Sequence, residues 1–207
     1  DNHRPVAMFS LEMSNRQLVN RLIMNVCEIE GSKIRNGSLN REEWNRLDHN
    51  ITQLMGAPIY VDDTPGLSVF ELRSRARKLK REHNISCIII DYLQLMTAAG
   101  MNPGSREQEV SIISRSLKGL AKELDIPIIA LSQLNRQVES RGTGAEGKRP
   151  QLSDLRESGA IEQDADMVCF IHRPEYYYRS GDKSEGYDSS MIGVAEIIIA
   201  KHRNGAT

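Results

Sequence analysis

The stretch Ile88-Ile89-Ile90-Asp91-Tyr92-Leu93-Gln94-Leu95-Met96 decides the fold of this chain. A run of β-branched apolar residues ending in an acid predicts a strand buried on both faces of a parallel sheet. Its carboxylate then emerges at the strand's C-terminal end, where open α/β sheets keep their ligand crevice. An acid there suits nucleotide hydrolysis, because it can hold Mg²⁺ through the ion's water shell. Buried strands also end in Asp merely to begin a turn, so the neighbouring runs must decide.

Three of those runs share the pattern. Val6-Ala7-Met8-Phe9-Ser10 leads into Leu11-Glu12-Met13, and Pro127-Ile128-Ile129-Ala130-Leu131-Ser132 leads into Gln133. Ala195-Glu196-Ile197-Ile198-Ile199-Ala200 delivers Lys201-His202-Arg203-Asn204-Gly205. Parallel strands share one C-terminal edge, so Glu12, Asp91 and Gln133 are expected to converge there as a hydrolytic site in outline. Helical patterns fill the intervals. Ser14 caps one predicted to run to about Glu30, with Gly31 as its stop, and Asn40 with Glu43 forms the capping box of a second. Ser68 with Glu71 begins a third, and Ser105 a fourth. Their apolar stripes are expected to pack in the core, among them Leu18, Leu22 and Val26 in the first and Trp44, Leu47, Ile51 and Met55 in the second. With Ile59-Tyr60-Val61 as a further strand, the alternation predicts the α/β class, a mainly parallel sheet flanked by helices.

A length of 207 residues suits one domain spanning 1–207 with a real core. A net charge of −1 does not mark a general polyanion binder, so any DNA contact must come from a local patch such as Arg136, Arg141, Lys148, Arg149 and Arg156. Cys87 and Cys169 lie in apolar strand patterns, and with Cys27 they are expected to be reduced, buried thiols of a cytoplasmic protein. No apolar run approaches the roughly 20 residues of a membrane span, and Asp1-Asn2-His3-Arg4-Pro5 does not read as a signal peptide. Gly142 to Arg149 has the glycine and lysine spacing of a phosphate loop, but Arg149 stands where the Mg²⁺-binding hydroxyl belongs. It also lies inside a Gly/Arg/Lys-rich loop rather than between a strand and a helix, so it is read as a decoy.

The segments FSLEM, IIIDYLQLM, ALSQLNR, DLRESGAIEQDAD and AKHRNG, in that order, resemble the motor domain of the bacterial replicative DNA helicases, the DnaB family. The likeness runs from Val6 to the last residue, and DLRESGAIEQDAD is its most specific piece. It implies a RecA-like P-loop NTPase fold and a homohexameric ring that uses ATP and Mg²⁺ to move 5′ to 3′ on single-stranded DNA. It also implies primase and a helicase loader as partners. By this resemblance Glu12 is the general base, Asp91 holds the Mg²⁺ water shell, and Gln133 senses the γ-phosphate. Lys201 and Arg203 correspond to a lysine and arginine finger pair that enters the neighbouring subunit's ATP site. Alternate strand residues point the same way, so both cations can reach one anion. Arg156, Glu157 and Gly159 match positions of a DNA-facing loop, with Glu157 acting through water, backbone or Arg156.

The family's phosphate loop precedes FSLEM and is absent from these residues, so the motor domain is expected to be truncated before that strand. The strand lost with it is expected to leave an open edge beside Val6–Ser10 or Ile88–Asp91. Such a piece alone should bind ATP poorly. A RecA- or RadA-like recombination or repair ATPase is the alternative within the class, which DLRESGAIEQDAD disfavours. Outside it stands a non-catalytic module that binds DNA or a partner. The polar insertion Arg173–Ser190, with Tyr176-Tyr177-Tyr178, reads as a surface loop or subunit contact.

Overall fold

Alternating burial in Val6–Ser10 (β1) and Cys87–Asp91 (β3) follows the two-residue period of a strand, with Ala7, Phe9, Ile88 and Ile90 fully buried. The computed structural model describes residues 3–141, 144–177 and 189–206, leaving aside the side chains of 53, 144, 145 and 156–158. It divides into two compact units, Asp1–Asn102 with Gly119–Ser132, and Pro103–Lys118 with Gln133–Thr207.

The first unit holds a four-stranded parallel sheet in the order β2-β1-β3-β4, where β2 is Ile59–Asp62 and β4 is Ile128–Ala130. The apolar strands β1 and β3 are therefore interior and paired on both sides. This corrects the expectation of an open edge beside Val6–Ser10 or Ile88–Asp91: the free edges of this sheet belong to β2 and β4. Burial on β3 is complete on one face and partial on the other, since Cys87, Ile89 and Asp91 keep some exposure.

The helices start where the sequence says. Ser14 caps α1 (Asn15–Cys27) through a capping box with Gln17, and α2 (Gly31–Asn36) follows. Asn40 and Glu43 box the start of α3 (Arg41–Met55), and Ser68 and Glu71 that of α4 (Val69–His83). The stop of α1 differs from expectation. Glu28 turns left-handed at φ 52° and ends the helix, and Gly31 opens α2 instead. The apolar stripes are only partly core. Leu18 is buried, but Val26, Trp44 and Met55 are exposed, Met55 at 82%, so α1 and α3 turn an apolar strip outward.

The helix α5 (Arg106–Leu124) contributes residues to both units, with Ser105 accepting from the Gln108 amide at its start. In the second unit the short helices α6 (Gln137–Ser140), α7 (Gly144–Gly147) and α8 (Gly159–Asp164) accompany a 3-10 turn at Leu152–Ser158. Strands β5 (Met167–His172) and β6 (Glu196–His202) pair antiparallel, with a register shift at Val168/Cys169. The run at Ala195–Ala200 thus forms its strand in a separate two-stranded sheet. Leu155, Val168 and Phe170 make this unit's core, joined by Leu134, Leu152 and Ile198. The opposite face stays open, with Ile171 and Ile197 more than 60% exposed. Cys169 is on that open face and Cys87 is only partly buried, which corrects the burial expected of both; Cys27 is buried, and all three are free. Of the insertion, Tyr178 and residues 179–188 lie outside the described residues. No helix among the described residues is long and apolar enough to cross a membrane.

Candidate functional site

Register brings two of the predicted acids to one edge. Ser10 pairs with Asp91 across β1 and β3, and the Leu11 amide donates to the Asp91 carbonyl at 2.7 Å. Glu12 follows directly, exposed in the turn before α1, where the buried Ser10 hydroxyl donates to the Met13 carbonyl at 2.8 Å and fixes the bend. The Asp91–Tyr92 peptide bond is cis.

The other acids of this edge are already occupied. Burial alone would raise the Asp62 carboxyl, but hydrogen bonds from Arg75 and Thr64 outweigh it and hold the group below its ordinary value. The Asp63 carboxylate accepts from the Asn15 amide at 2.7 Å, a natural place for an acid at the start of α1. Glu12 and Asp91 have no such side-chain partners among the described residues, which leaves them as the edge's available carboxylates. Two carboxylates suit Mg²⁺, which keeps most of its waters and arrives with phosphate. No group of three or more metal-ligating side chains occurs among the described residues, so a closed protein cage is not offered.

The turn after Asp91 is tied to the end of β4. The Leu93 amide donates to the Leu131 carbonyl at 2.9 Å, and the Gln94 side-chain amide donates to the Ser132 hydroxyl at 2.9 Å. Gln94 and Ser132 therefore set the segment that leads into Gln133, a role that sequence reasoning missed. The signal was present in the polar residues flanking two strand ends, but their pairing needs the register of β3 with β4. Gln133 itself is exposed and begins the second segment of the second unit.

Lys201 and Arg203 meet at the C-terminal end of α8. The Lys201 ammonium donates to the Glu162 carbonyl and reaches that of Gln163 at 3.4 Å. The Arg203 guanidinium donates to the same Gln163 carbonyl at 2.9 Å and stands 3.6 Å from the Asp166 carboxylate. Carbonyls ending a helix carry partial negative charge, so they suit two cations. Arg203 remains half exposed and uses only part of its five-donor fork here. Gly205 completes the turn, since a Cβ there would overlap the His202 ring.

The basic patch expected for DNA is largely committed to internal contacts. Arg141 forks onto Asp154 at 2.7 and 3.1 Å and also donates to the carbonyls of Gly147 and Arg149. Arg149 pairs with Glu196 at 2.8 Å, and the Lys148 ammonium sits 5.1 Å from the centre of the Tyr177 ring. Arg136 stays exposed. The same contacts dispose of the glycine-lysine sequence at Gly142–Arg149: its lysine follows a helical turn and lies on an aromatic face instead of heading a phosphate-binding helix. The side chains of Arg156 and Glu157 are outside the described ones, though their backbone forms the 3-10 turn. Gly159 caps the 3-10 turn and begins α8, with φ −50° and open space where a Cβ would sit. The chain's own packing does not demand a glycine there.

Known proteins resemble this chain along its whole length. A family model described as DnaB-like helicase C terminal domain matches residues 1–207. Replicative DNA helicase DnaB of Geobacillus stearothermophilus is 49% identical over 200 residues, covering 97% of this chain and 41% of that protein. Replicative DNA helicase DnaC of Bacillus subtilis (strain 168) is 48% identical with the same coverage. Among solved structures, one described as an ATPase domain superposes with a TM-score of 0.85 at 41% identity, covering 100% of this chain and 69% of that one. A DnaB-like replicative helicase described with its interactions with primase gives 0.86 at 41% identity, covering 100% and 47%. The chain spans about two fifths of the length of the curated relatives it matches. The α/β reading, with a parallel sheet of RecA-like type flanked by helices, holds. The chain belongs to the DnaB-like helicase C-terminal domain family.

Proposed function

We propose that this chain is the motor of a replicative DNA helicase, an ATPase that drives a homohexameric ring 5′ to 3′ along single-stranded DNA in the cytoplasm. The observation that carries this reading is the pairing of Ser10 with Asp91, which puts Glu12 and Asp91 on one sheet edge with their carboxylates uncommitted. Glu12 orients the attacking water and takes its proton as general base. Asp91 holds the water shell of Mg²⁺, and Gln133 reads the γ-phosphate at the end of the segment fixed by Gln94 and Ser132. Bound Mg²⁺ neutralises charge on the phosphates. The phosphate loop lies upstream of β1, and the two compact units act as one motor domain over 1–207.

Lys201 and Arg203 serve a neighbouring subunit's nucleotide. Arg203 suits this because a planar guanidinium pairs two phosphate oxygens at once. Arg156, Glu157 and Gly159 face the DNA backbone, and the open space at Gly159 supports close approach of a phosphate to its amide. Such contacts ignore base identity, as translocation requires. Primase and a loader are the partners of the intact ring.

Glu12→Gln in the full-length protein is the test. It should lower DNA-stimulated ATP turnover by about a hundredfold or more, within the range for removing a general base, while nucleotide binding persists. Turnover within a factor of about two of wild type would remove Glu12 from that role.

A further inference from the structure

One face of α4 carries a row of cations beside an exposed aromatic ring. Its buried side carries Val69, Leu72 and Ala76. The opposite side presents Phe70, Arg73, Ser74, Arg77, Lys78 and Arg81 along a groove of about 560 Å³. Phe70 is 52% exposed, and the arginines are about as exposed or more so. Arg73, Arg77 and Arg81 recur every four residues, about 6 Å apart along the helix axis, with Lys78 beside them. None of these residues belongs to the proposed catalytic or DNA-binding set.

The molecule already shows what this face accepts. Glu123, on α5, sets its carboxylate between the first two arginines: Arg73 donates from Nε at 3.0 Å, and Arg77 donates to the other oxygen. Those two guanidinium groups, Arg77 foremost, pull the Glu123 carboxyl down to about 2. Lys78 has no partner among the described residues, and Arg81 has only its chain neighbour Glu82 at 3.8 Å. A carboxylate from one helix is thus seated at one end of the row, and the cations at the other end stand open.

We propose that the α4 groove is a docking surface for an acidic helix of a partner protein. Carboxylates spaced four residues apart on a helix repeat at about the interval of the arginines. A partner helix laid along α4 therefore places acids at Lys78 and Arg81 and an apolar side chain against Phe70. A single nucleic-acid strand fits less well, because one aromatic ring at one end does not provide a stacking track. The overall charge of −1 also gives the chain no general attraction for polyanions.

The test uses the full-length protein and a fluorescent synthetic helical peptide carrying glutamate at four-residue spacing with a leucine at one end. The same peptide with glutamine for glutamate is the control, and a single-stranded oligonucleotide is the competitor. The glutamate peptide should bind, more weakly as salt rises, and the glutamine peptide should not. K78E/R81E lies outside the Glu123 pair and should weaken binding by about tenfold or more, with unchanged thermal melting. If that variant melts early, Phe70→Ala serves instead and should weaken binding without altering its salt dependence. No binding, equal binding of both peptides, or affinity indifferent to these variants overturns the proposal. An oligonucleotide that displaces the peptide, and itself loses affinity in K78E/R81E, overturns it in favour of a nucleic-acid surface.

Discussion

At the scale of single residues, ionisation is set by what each side chain was given in place of water. His172 is 2% exposed, its Nε2 has no hydrogen-bond partner among the described residues, and its ring stacks on Tyr177 with centroids 5.6 Å apart. Burial holds its pKa below the ordinary 6.5 against the pull of the Glu196 carboxylate, with Arg149 acting in the same direction as burial and Glu146 opposing it. The unfolded chain therefore binds this proton more readily than the folded one. Its stabilising contribution is complete above about pH 6.5 and is lost as the pH falls below that value. Melting temperature should drop between about pH 7.5 and pH 5.5, and His172→Phe should flatten that slope; the same slope in both proteins would contradict this. Glu123 acts in a lower window, since its depressed carboxyl stabilises the fold above about pH 4.5 and stops doing so toward about pH 2. Neither environment is legible in the sequence, where His172 simply ends an apolar strand and Glu123 is one acid in a helix.

At the scale of elements, local rules and long-range pairing divide the work. The capping boxes at Asn40 and Ser68 were readable because a cap and its third residue are fixed by spacing alone. Asn40→Ala should cost about 1 kcal/mol, up to about 2, measured as a shift in the denaturation midpoint, and an unchanged midpoint would mean the box is not holding α3. Strands β1, β2, β3 and β4 were readable for a similar reason, as short apolar runs. Their order was not, because partner choice is set by packing across the whole sheet. Hence the open edge expected beside β1 or β3 was misplaced. The end of α1 was missed because Glu28, rather than Gly31, takes the left-handed turn. The outward strip of Val26, Trp44 and Met55 was missed because helical periodicity identifies an apolar face without saying what covers it.

At the scale of the whole molecule, the site residues divide between two compact units. Glu12 and Asp91 belong to the first, and Gln133, Lys201 and Arg203 to the second. The placement of Glu12 and Asp91 just past two neighbouring strand ends was legible from the apolar runs that precede them. The basic patch was not, since Arg141, Lys148 and Arg149 look like free cations until their partners Asp154, Tyr177 and Glu196 are placed beside them. A finger supplied in trans contributes on the order of 10³–10⁵ in rate, so the proposed role of Arg203 predicts that an isolated subunit with every other group in place is nearly inactive. In the proposed ring, catalysis is completed across a subunit boundary. The most direct test of this is the DNA-stimulated ATPase activity of full-length protein reassembled from Arg203→Ala and Glu12→Ala subunits, compared with each variant alone. The account predicts two nearly inactive proteins whose mixture recovers part of the wild-type rate, because some interfaces then pair an intact Glu12 with an intact Arg203. Full activity of Arg203→Ala by itself would contradict it.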